Sequence, residues 1–198
     1  MTGFVEPVKL TGRRWVWLEP LTREHVSEIA TASADGDVGS LWFTGAPSPQ
    51  TASQWVDMRL ALQRPDTGLT FVVRRLDDTL IGSSSYLNVD APNRRLEIGN
   101  TWYAASARRS GVNTETKLMM LRHAFEELNC VAVEFRTHFF NFASRTAIER
   151  LGAKLDGILR SHQLVPDGTR RDTVVYSILD HEWPTVRTHL QFQLDRHR

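Results

Sequence analysis

The sequence predicts an α+β fold in which helices pack on one mixed β-sheet. Three observations lead to this expectation. Before residue 111, apolar residues such as Leu96, Ile98 and Trp102 alternate as in a half-buried strand, and after it they recur every three or four residues as on one helix face. Three strand-like segments lie in the middle of the chain, at 69–75, 79–88 and 94–103. Helical and strand-like segments follow one another on both sides of them, which favours helices layered on a sheet.

Taken in order, the elements are β-α-α-β-β-β-α-β-α-β-β-α. The N-terminal part has a strand over 9–19, a helix capped by Thr22 that runs to about residue 34, and a helix over 50–64. After the three central strands come the helix that follows Gly111, a strand over 130–138 and a short helix over 141–151. A strand pair over 154–164 and 169–179, joined by a tight turn at Pro166-Asp167-Gly168, precedes a last helix over 182–194.

Size and charge restrict the function classes. The 198 residues suit a single domain, 1–198, with residues 180–198 as a C-terminal helical extension that packs on the core or supports a homodimer. The net charge of +1 argues against a general nucleic-acid or anionic-membrane binder. No apolar run approaches the length of a membrane span, and the first residues lack the pattern of a signal peptide. The lone Cys130 excludes an internal disulfide and favours a cytoplasmic location.

The junction between the third central strand and the next helix is the strongest candidate site. Arg108 and Arg109 precede Gly111, and Asn113 is predicted to be the helix N-cap. Unpaired amides, the positive end of a helix and two arginines together favour a phosphate or pyrophosphate. The histidines and Cys130 are not spaced as metal ligands, so no metal is expected.

Residues 108–113, RRSGVN, resemble the R/Q-x-x-G-x-G/A loop of the GNAT (GCN5-related) N-acetyltransferases, with Asn113 in place of the last glycine or alanine. The order of elements also resembles that family over essentially the whole chain. The resemblance implies a mostly antiparallel, twisted sheet flanked by helices, with splayed central strands and acetyl-CoA as the cosubstrate. It implies that the cofactor-binding residues are Trp102, Arg108, Arg109, Ser110, Gly111, Val112, Asn113, Thr114, Asn141 and Ser144.

Two further motifs resemble the RimJ/RimL-type branch, which acetylates ribosomal proteins. Residues 141–144, NFAS, resemble its Asn-x-x-Ser helix start. Ile148 occupies the place of the tyrosine that, in many family members, protonates the leaving thiolate. Ser144 then inherits a catalytic role near the thioester sulfur, unless it merely satisfies a backbone amide. Residues 96–99, LEIG, resemble the E-I-G strand of the branch, which makes Glu97 a candidate proton acceptor or ammonium-binding group. Alternatively Glu97 faces solvent or pairs with Arg94 or Arg95.

The expected function is acetyl transfer from acetyl-CoA to a primary amine by direct attack, without an acyl-enzyme. The branch resemblance favours a protein or peptide N-terminal α-amine. A small amine (an amino acid, a polyamine or an aminoglycoside) and a non-catalytic acyl-CoA-binding module are the alternatives. Trp42 and Phe43 are candidate acceptor-binding residues beside Glu97, although aromatic residues in an apolar loop also occur as core.

Overall fold

The computed structural model describes residues 3–36, 39, 42–64, 66–165 and 168–196. In this part of the chain the strands are β1 (Leu10–Thr11), β2 (Val16–Pro20), β3 (Leu69–Arg75), β4 (Leu80–Asp90), β5 (Arg95–Tyr103), β6 (Ala132–His138), β7 (Lys154–Leu164) and β8 (Arg170–Leu179). They form one sheet in the order β1-β2-β3-β4-β5-β6-β8-β7. Neighbouring strands are antiparallel except for β5 and β6, which are parallel. The predicted mixed, mostly antiparallel sheet is confirmed.

Helices cover both faces of this sheet. They are α1 (Val26–Ala34), α2 (Ala52–Ala61), α3 (Val112–Arg122), α4 (Phe142–Glu149) and α5 (Trp183–Arg196), and α3 continues into a π-helical turn over His123–Glu127. The major core joins one face to α3, α4 and α5 and includes Leu96, Ile98 and Met120. The minor core joins the other face to α1 and α2 and includes Val56 and Trp102. No helix in the described ranges is long and apolar enough to cross a membrane.

The single first strand predicted over 9–19 is wrong, because the chain turns back inside it. β1 pairs antiparallel with β2, Leu10 lying opposite Leu18. Gly12 permits the turn: a Cβ placed there would lie 2.3 Å from the carbonyl oxygen of Val16. The amide of Gly12 donates to that same oxygen at 3.0 Å.

The C-terminal segment forms the predicted helix and packs on the core. Trp183, Val186 and Leu190 of α5 are buried, and the Trp183 ring stacks on Phe125 at a centroid distance of 5.4 Å. Residues 197 and 198 of the predicted extension, and Pro166 and Asp167 of the predicted turn between β7 and β8, lie outside the described ranges.

Candidate functional site

The neighbouring strands β5 and β6 separate after a short paired stretch. They pair only through residues 95–97 of β5 and residues 132–134 of β6. Residues 98–103 and residues 135–138, all of them in the described part of the chain, form no ladder with each other. We call the space between these two segments the central gap. Backbone groups facing it have no sheet partner across it, so an extended ligand can lie there as an added strand.

A β-bulge in β5 borders the central gap. Ser84 of β4 faces both Asn100 and Thr101, because the register of the two strands shifts at this point. Asn100 has a φ of 49°, in the left-handed region that few residue types adopt. The bulge therefore determines which backbone groups of β5 face the central gap.

The bulge also reverses the side-chain alternation of β5. Leu96 and Ile98 lie in the major core, whereas Trp102 lies in the minor core and meets Trp55 edge-on at 6.2 Å between ring centroids. The prediction that Leu96, Ile98 and Trp102 alternate on one face is wrong, because one extra residue shifts the side-chain phase. The Trp102 ring is 4% exposed.

A basic loop leads from β5 to α3. Arg108 and Arg109 are exposed, and Arg109 has a φ of 55°. The helix begins at Val112 with Gly111 as its N-cap, and no side chain caps it. The prediction that Asn113 is the N-cap is therefore wrong, and Asn113 lies in the first turn.

The first turn of α3 leaves amides for an external acceptor. The amide of Val112 donates to Ser110 Oγ at 3.3 Å. The amides of Asn113 and Thr114 belong to the turn in which a helix supplies no acceptor of its own. With the helix dipole, these groups form a site for an anion.

Gly111 is required by a close approach. Its φ is −70°, so its backbone conformation suits any residue. A Cβ placed there, however, would lie 2.4 Å from Nε1 of Trp15, whose ring packs against the loop. Trp15 thus links the β1–β2 turn to the candidate anion site.

Glu115 ties the same turn to α3. It is 3% exposed, and its carboxylate accepts the backbone amides of residues 13–16 at 2.6 to 3.0 Å. Four backbone hydrogen bonds from the β1–β2 turn and the start of β2 therefore stabilise its negative charge, although it lies in the first turn of the helix.

Lys117, on the next turn of α3, lies below the bulge. Its side chain is buried, and Nζ donates to Ser84 Oγ at 2.8 Å and to Thr101 Oγ1 at 2.6 Å. Burial lowers the pKa of Lys117 to about 7. This lysine thus joins the helix to both strands where the bulge occurs.

Glu97 is the last residue of β5 that pairs with β6, so it lies where the central gap begins. It is 7% exposed. Asn88 Nδ2 donates to its Oε2 at 2.7 Å, and Arg136 Nε lies 3.6 Å from the same oxygen. Burial raises the pKa of Glu97, and the Asn88 hydrogen bond and the Arg136 charge oppose that rise. Both alternative interpretations are wrong: the carboxylate is buried, and Arg95 pairs with Glu134 instead.

The start of α4 contains the other predicted residues. Asn141 is its N-cap, and its Oδ1 accepts the amide of Ser144 at 3.1 Å. The Ser144 hydroxyl is half-buried and makes no hydrogen bond within the described part of the chain. Ile148 belongs to the major core. Asn141 is therefore engaged in capping the helix through its side chain.

An aromatic cleft of about 250 Å³ lies near the end of β6. It is lined by Trp42, Phe43, Thr44, Gly45, His138, Gln163, Leu164, Val165 and Arg171. Trp42 is 62% exposed and meets His138 edge-on at 4.8 Å between ring centroids, so Trp42 is not core. We call this space the aromatic cleft.

His138 has its ring orientation fixed in the wall of this cleft. Its Nδ1 accepts the amide of Phe140 at 3.1 Å, so the neutral ring carries its proton on Nε2. Burial and the charge of Arg171 lower the pKa of His138. The ring is therefore neutral near pH 7.

Sequence reasoning assigned no catalytic role to Trp15, Asn88, Lys117, Arg136 and Arg171, although residues 167–172, which include Arg171, resemble the RimJ/RimL-type branch. Lys117 lies four residues before Leu121, a buried residue of α3, and residues four apart lie on the same helix face. The spacing therefore indicated that Lys117 is buried. The others contact partners outside their own segment, and no local pattern reports such contacts. In the described ranges, no group of three or more His, Cys, Asp or Glu side chains is placed to hold a metal ion.

Comparisons with known proteins agree with this geometry. The sequence profile of the Acetyltransferase (GNAT) domain matches residues 16–154. The Bacillus subtilis (strain 168) protein YdaF, named for ribosomal N-acetyltransferase activity, is 30% identical over 174 residues, which cover 84% of this chain and 90% of YdaF. A GCN5-related N-acetyltransferase from Brucella melitensis is 29% identical, with a TM-score of 0.85 over 98% of this chain and 89% of that one.

A more distant structure shares the fold. Mycobacterium smegmatis RimJ, solved in complex with CoA-disulfide, is 22% identical and has a TM-score of 0.81 over 99% of this chain and 98% of its own. The predicted acyltransferase fold is confirmed by these structures.

Proposed function

Because the chain belongs to the GNAT family of acetyltransferases, we propose that it moves the acetyl group of acetyl-CoA to the N-terminal α-amine of a protein or peptide. The observation that carries this proposal is the central gap, which ends at the buried carboxylate of Glu97. The ribosomal activity named for YdaF supports a protein acceptor, and the CoA-disulfide complex of RimJ supports the cosubstrate.

The residues at the start of α3 fit the pyrophosphate of CoA. The helix has no side-chain cap, its first-turn amides have no helical acceptor, and Arg108 and Arg109 are exposed beside them. The central gap then accommodates the extended pantetheine arm between β5 and β6.

Acetyl-CoA supplies an activated thioester when it is bound. The protein places the acceptor amine beside that thioester, and such positioning provides much of the rate enhancement. A backbone amide of β5 near Trp102 donates to the developing oxyanion, which contributes on the order of 3 kcal/mol. Glu97 accepts the proton of the amine, directly or through water, and this contributes roughly a hundredfold. Ser144 lies at the start of α4, where its hydroxyl can donate a hydrogen bond to the departing thiolate while solvent supplies the proton that completes the thiol.

Direct attack agrees with the position of the chain's only cysteine. Cys130 is 2% exposed in the major core, and burial raises its pKa to about 12. A buried, protonated thiol is a poor nucleophile. The acetyl group therefore passes to the amine without a cysteine-bound intermediate.

Calorimetry and a thiol-release assay test the proposal. We expect CoA and acetyl-CoA to bind, and we expect thiol release to depend on an added amine and to rise from pH 6 to 9 as the amine loses its proton. N-terminal peptides are compared with amino acids, polyamines and aminoglycosides. Absence of CoA binding would contradict the proposal that the protein is an acetyltransferase. Faster turnover of small amines than of peptides would contradict the proposal that its acceptor is a protein.

A further inference from the structure

Arg171 is a cation in the wall of the aromatic cleft, and one of its guanidinium nitrogens lacks an acceptor among the described residues. The residue is half-buried. Its Nε is inaccessible to solvent and has no hydrogen-bond partner among the residues that the structure describes. A buried polar donor without a partner destabilises the folded protein, so such a group is retained more readily where a ligand completes it.

The nearby carboxylates are already engaged. Glu97 accepts from Asn88 and lies against Arg136. Asp172, the neighbour of Arg171 in sequence, accepts from Arg160 Nε at 2.6 Å and from the amide of Ser161 at 2.7 Å. Within the described ranges, neither acid forms an ion pair with Arg171.

Arg171 in the wall of the aromatic cleft and Glu97 at the start of the central gap carry opposite charges. Glu97 is close enough to Arg171 for its charge to oppose the effect of burial on the pKa of Arg171. An ammonium group near Glu97 and a carboxylate at Arg171 would each meet the opposite charge. A guanidinium also presents its donors in a fork that matches the two oxygens of a carboxylate.

The size of the cleft restricts what enters it. Its volume of about 250 Å³ is below the range of about 300–1,000 Å³ usual for sites that enclose a whole ligand. The cleft therefore suits the end of a chain or one small molecule, with Trp42 and Phe43 as its apolar wall.

We propose that Arg171 binds a carboxylate of the acceptor, so that the preferred substrates are amines with a carboxylate a few bonds away. This inference rests on the acetyl transfer in the proposed function and specifies the acceptor; a free amino acid as the better acceptor would keep the role of Arg171 and contradict the protein acceptor. Two sources have this chemistry: a peptide N-terminus with Asp or Glu as its second residue, and a free α-amino acid. Polyamines and aminoglycosides are disfavoured, because their additional positive charges would face Arg171.

The experiment compares acceptors that differ only in the carboxylate. The peptides Ala-Asp-Ala-amide and Ala-Asn-Ala-amide form one pair, and alanine and alaninamide form the other. We expect kcat/KM, measured by thiol release, to be about tenfold to a hundredfold higher for the acid of the productive pair. The pair in which the acid is preferred over the amide shows whether the acceptor is a peptide or a free amino acid.

Variants assign this preference to Arg171. Arg171→Met should bring the ratio between acid and amide close to one, mainly through KM, and Arg171→Lys should retain part of it. Arg170→Met, an exposed neighbour on β8, is the matched control and should keep the full ratio. Thermal unfolding checks that each variant is folded, and Arg171→Lys tests the assignment if Arg171→Met does not fold.

The outcomes separate the two proposals. Turnover of amines with no preference for the carboxylate overturns the role of Arg171 and leaves the acetyltransferase intact. Faster turnover of spermidine than of every acidic acceptor also overturns it. Absence of turnover on any amine, with CoA bound, contradicts the proposed function itself.

Discussion

At the level of single residues, the carboxylate of Glu97 experiences opposing influences from burial and from its neighbours. Burial raises its pKa, while Asn88 and Arg136 lower it. A carboxylate with a raised pKa is a stronger base, provided that it is ionised at the working pH. Asn88 and Arg136 keep the ionised form accessible in a site where burial alone would favour the protonated form.

Glu97→Gln should lower kcat/KM for amine acceptors about a hundredfold at pH 7, because a carboxamide cannot accept the proton. Thiol release measures the loss, and Glu127→Gln, an exposed position in the π-helical turn, is the control. Asn88→Ala should shift the acidic limb of the pH–rate profile to higher pH, because it removes a hydrogen bond to the charged form. A loss below about threefold for Glu97→Gln would exclude the role as a base.

Lys117 should make stability depend on pH. Its pKa is lowered from 10.5 to about 7, so between these values the unfolded state binds more protons than the folded state. The free energy of unfolding should therefore rise with pH above 7, by up to about 1.4 kcal/mol per pH unit. Below about pH 7 Lys117 is charged in both the folded and the unfolded state. Its pH-dependent contribution to the free energy of unfolding is then absent.

Lys117→Met isolates this effect, because methionine has similar length and no charge. In the wild type, Ser84 and Thr101 hydrogen-bond to each other at 2.8 Å. Because this bond does not involve Lys117, the variant should leave few polar groups unpaired. Urea unfolding from pH 7 to 9 should show a shallower rise for the variant than for the wild type. Parallel curves would mean that Lys117 does not titrate in this range.

The sequence predicted the identity of the candidate residues better than their surroundings. Glu97 and Ser144 were identified from short motifs. Their neighbours were not, because the contacts cross the sheet: Arg136 reaches Glu97 from the next strand, and Arg171 approaches it from β8. No spacing rule within one strand reports such contacts.

At the level of elements, the loop before α3 depends on a residue nearly a hundred positions away. Gly111→Ala would place a methyl group against Trp15 Nε1, displace the loop and weaken CoA binding about tenfold or more. Trp15→Leu removes the obstacle, so the double variant should lose less affinity than the sum of the two single variants. Calorimetry with CoA measures all three. Wild-type affinity in Gly111→Ala would show that the close approach is easily relieved.

Glu115→Gln should destabilise the β1–β2 turn. The substitution replaces one carboxylate oxygen with an amide NH2 group, a donor that then faces backbone donors instead of accepting from them. Because hydrogen bonds to a buried charge are involved, we expect a loss of about 3 kcal/mol in the free energy of unfolding. Glu24→Gln, at an exposed acid, should change it by less than about 0.5 kcal/mol. A loss below about 1 kcal/mol for Glu115→Gln contradicts this account.

The errors in the predicted elements have the same origin. Residues 9–19 alternate like one strand, and the turn inside them is stabilised by Glu115, which is about a hundred positions distant. The alternation in β5 is interrupted by a bulge that Lys117 contacts from α3. Periodicity located the elements, whereas tertiary contacts decided where they bend.

At the level of the whole molecule, the order of elements and the resemblance were sufficient for the fold, but not for the acceptor. The aromatic cleft is assembled from the loop that contains Trp42 and Phe43, the end of β6, and the β7–β8 pair. Its charge and volume emerge only when these distant segments meet. The homodimer expected from the sequence stays a prediction.

The short ladder between β5 and β6 divides the sheet into two blocks, β1–β5 and β6–β8–β7, joined by three residue pairs. A pantetheine arm in the central gap would act as an extra rung between the blocks. Addition of CoA should therefore slow deuterium uptake by backbone amides at residues 98–103 and 135–138. The cosubstrate would then serve as a brace that makes two half-sheets behave as one.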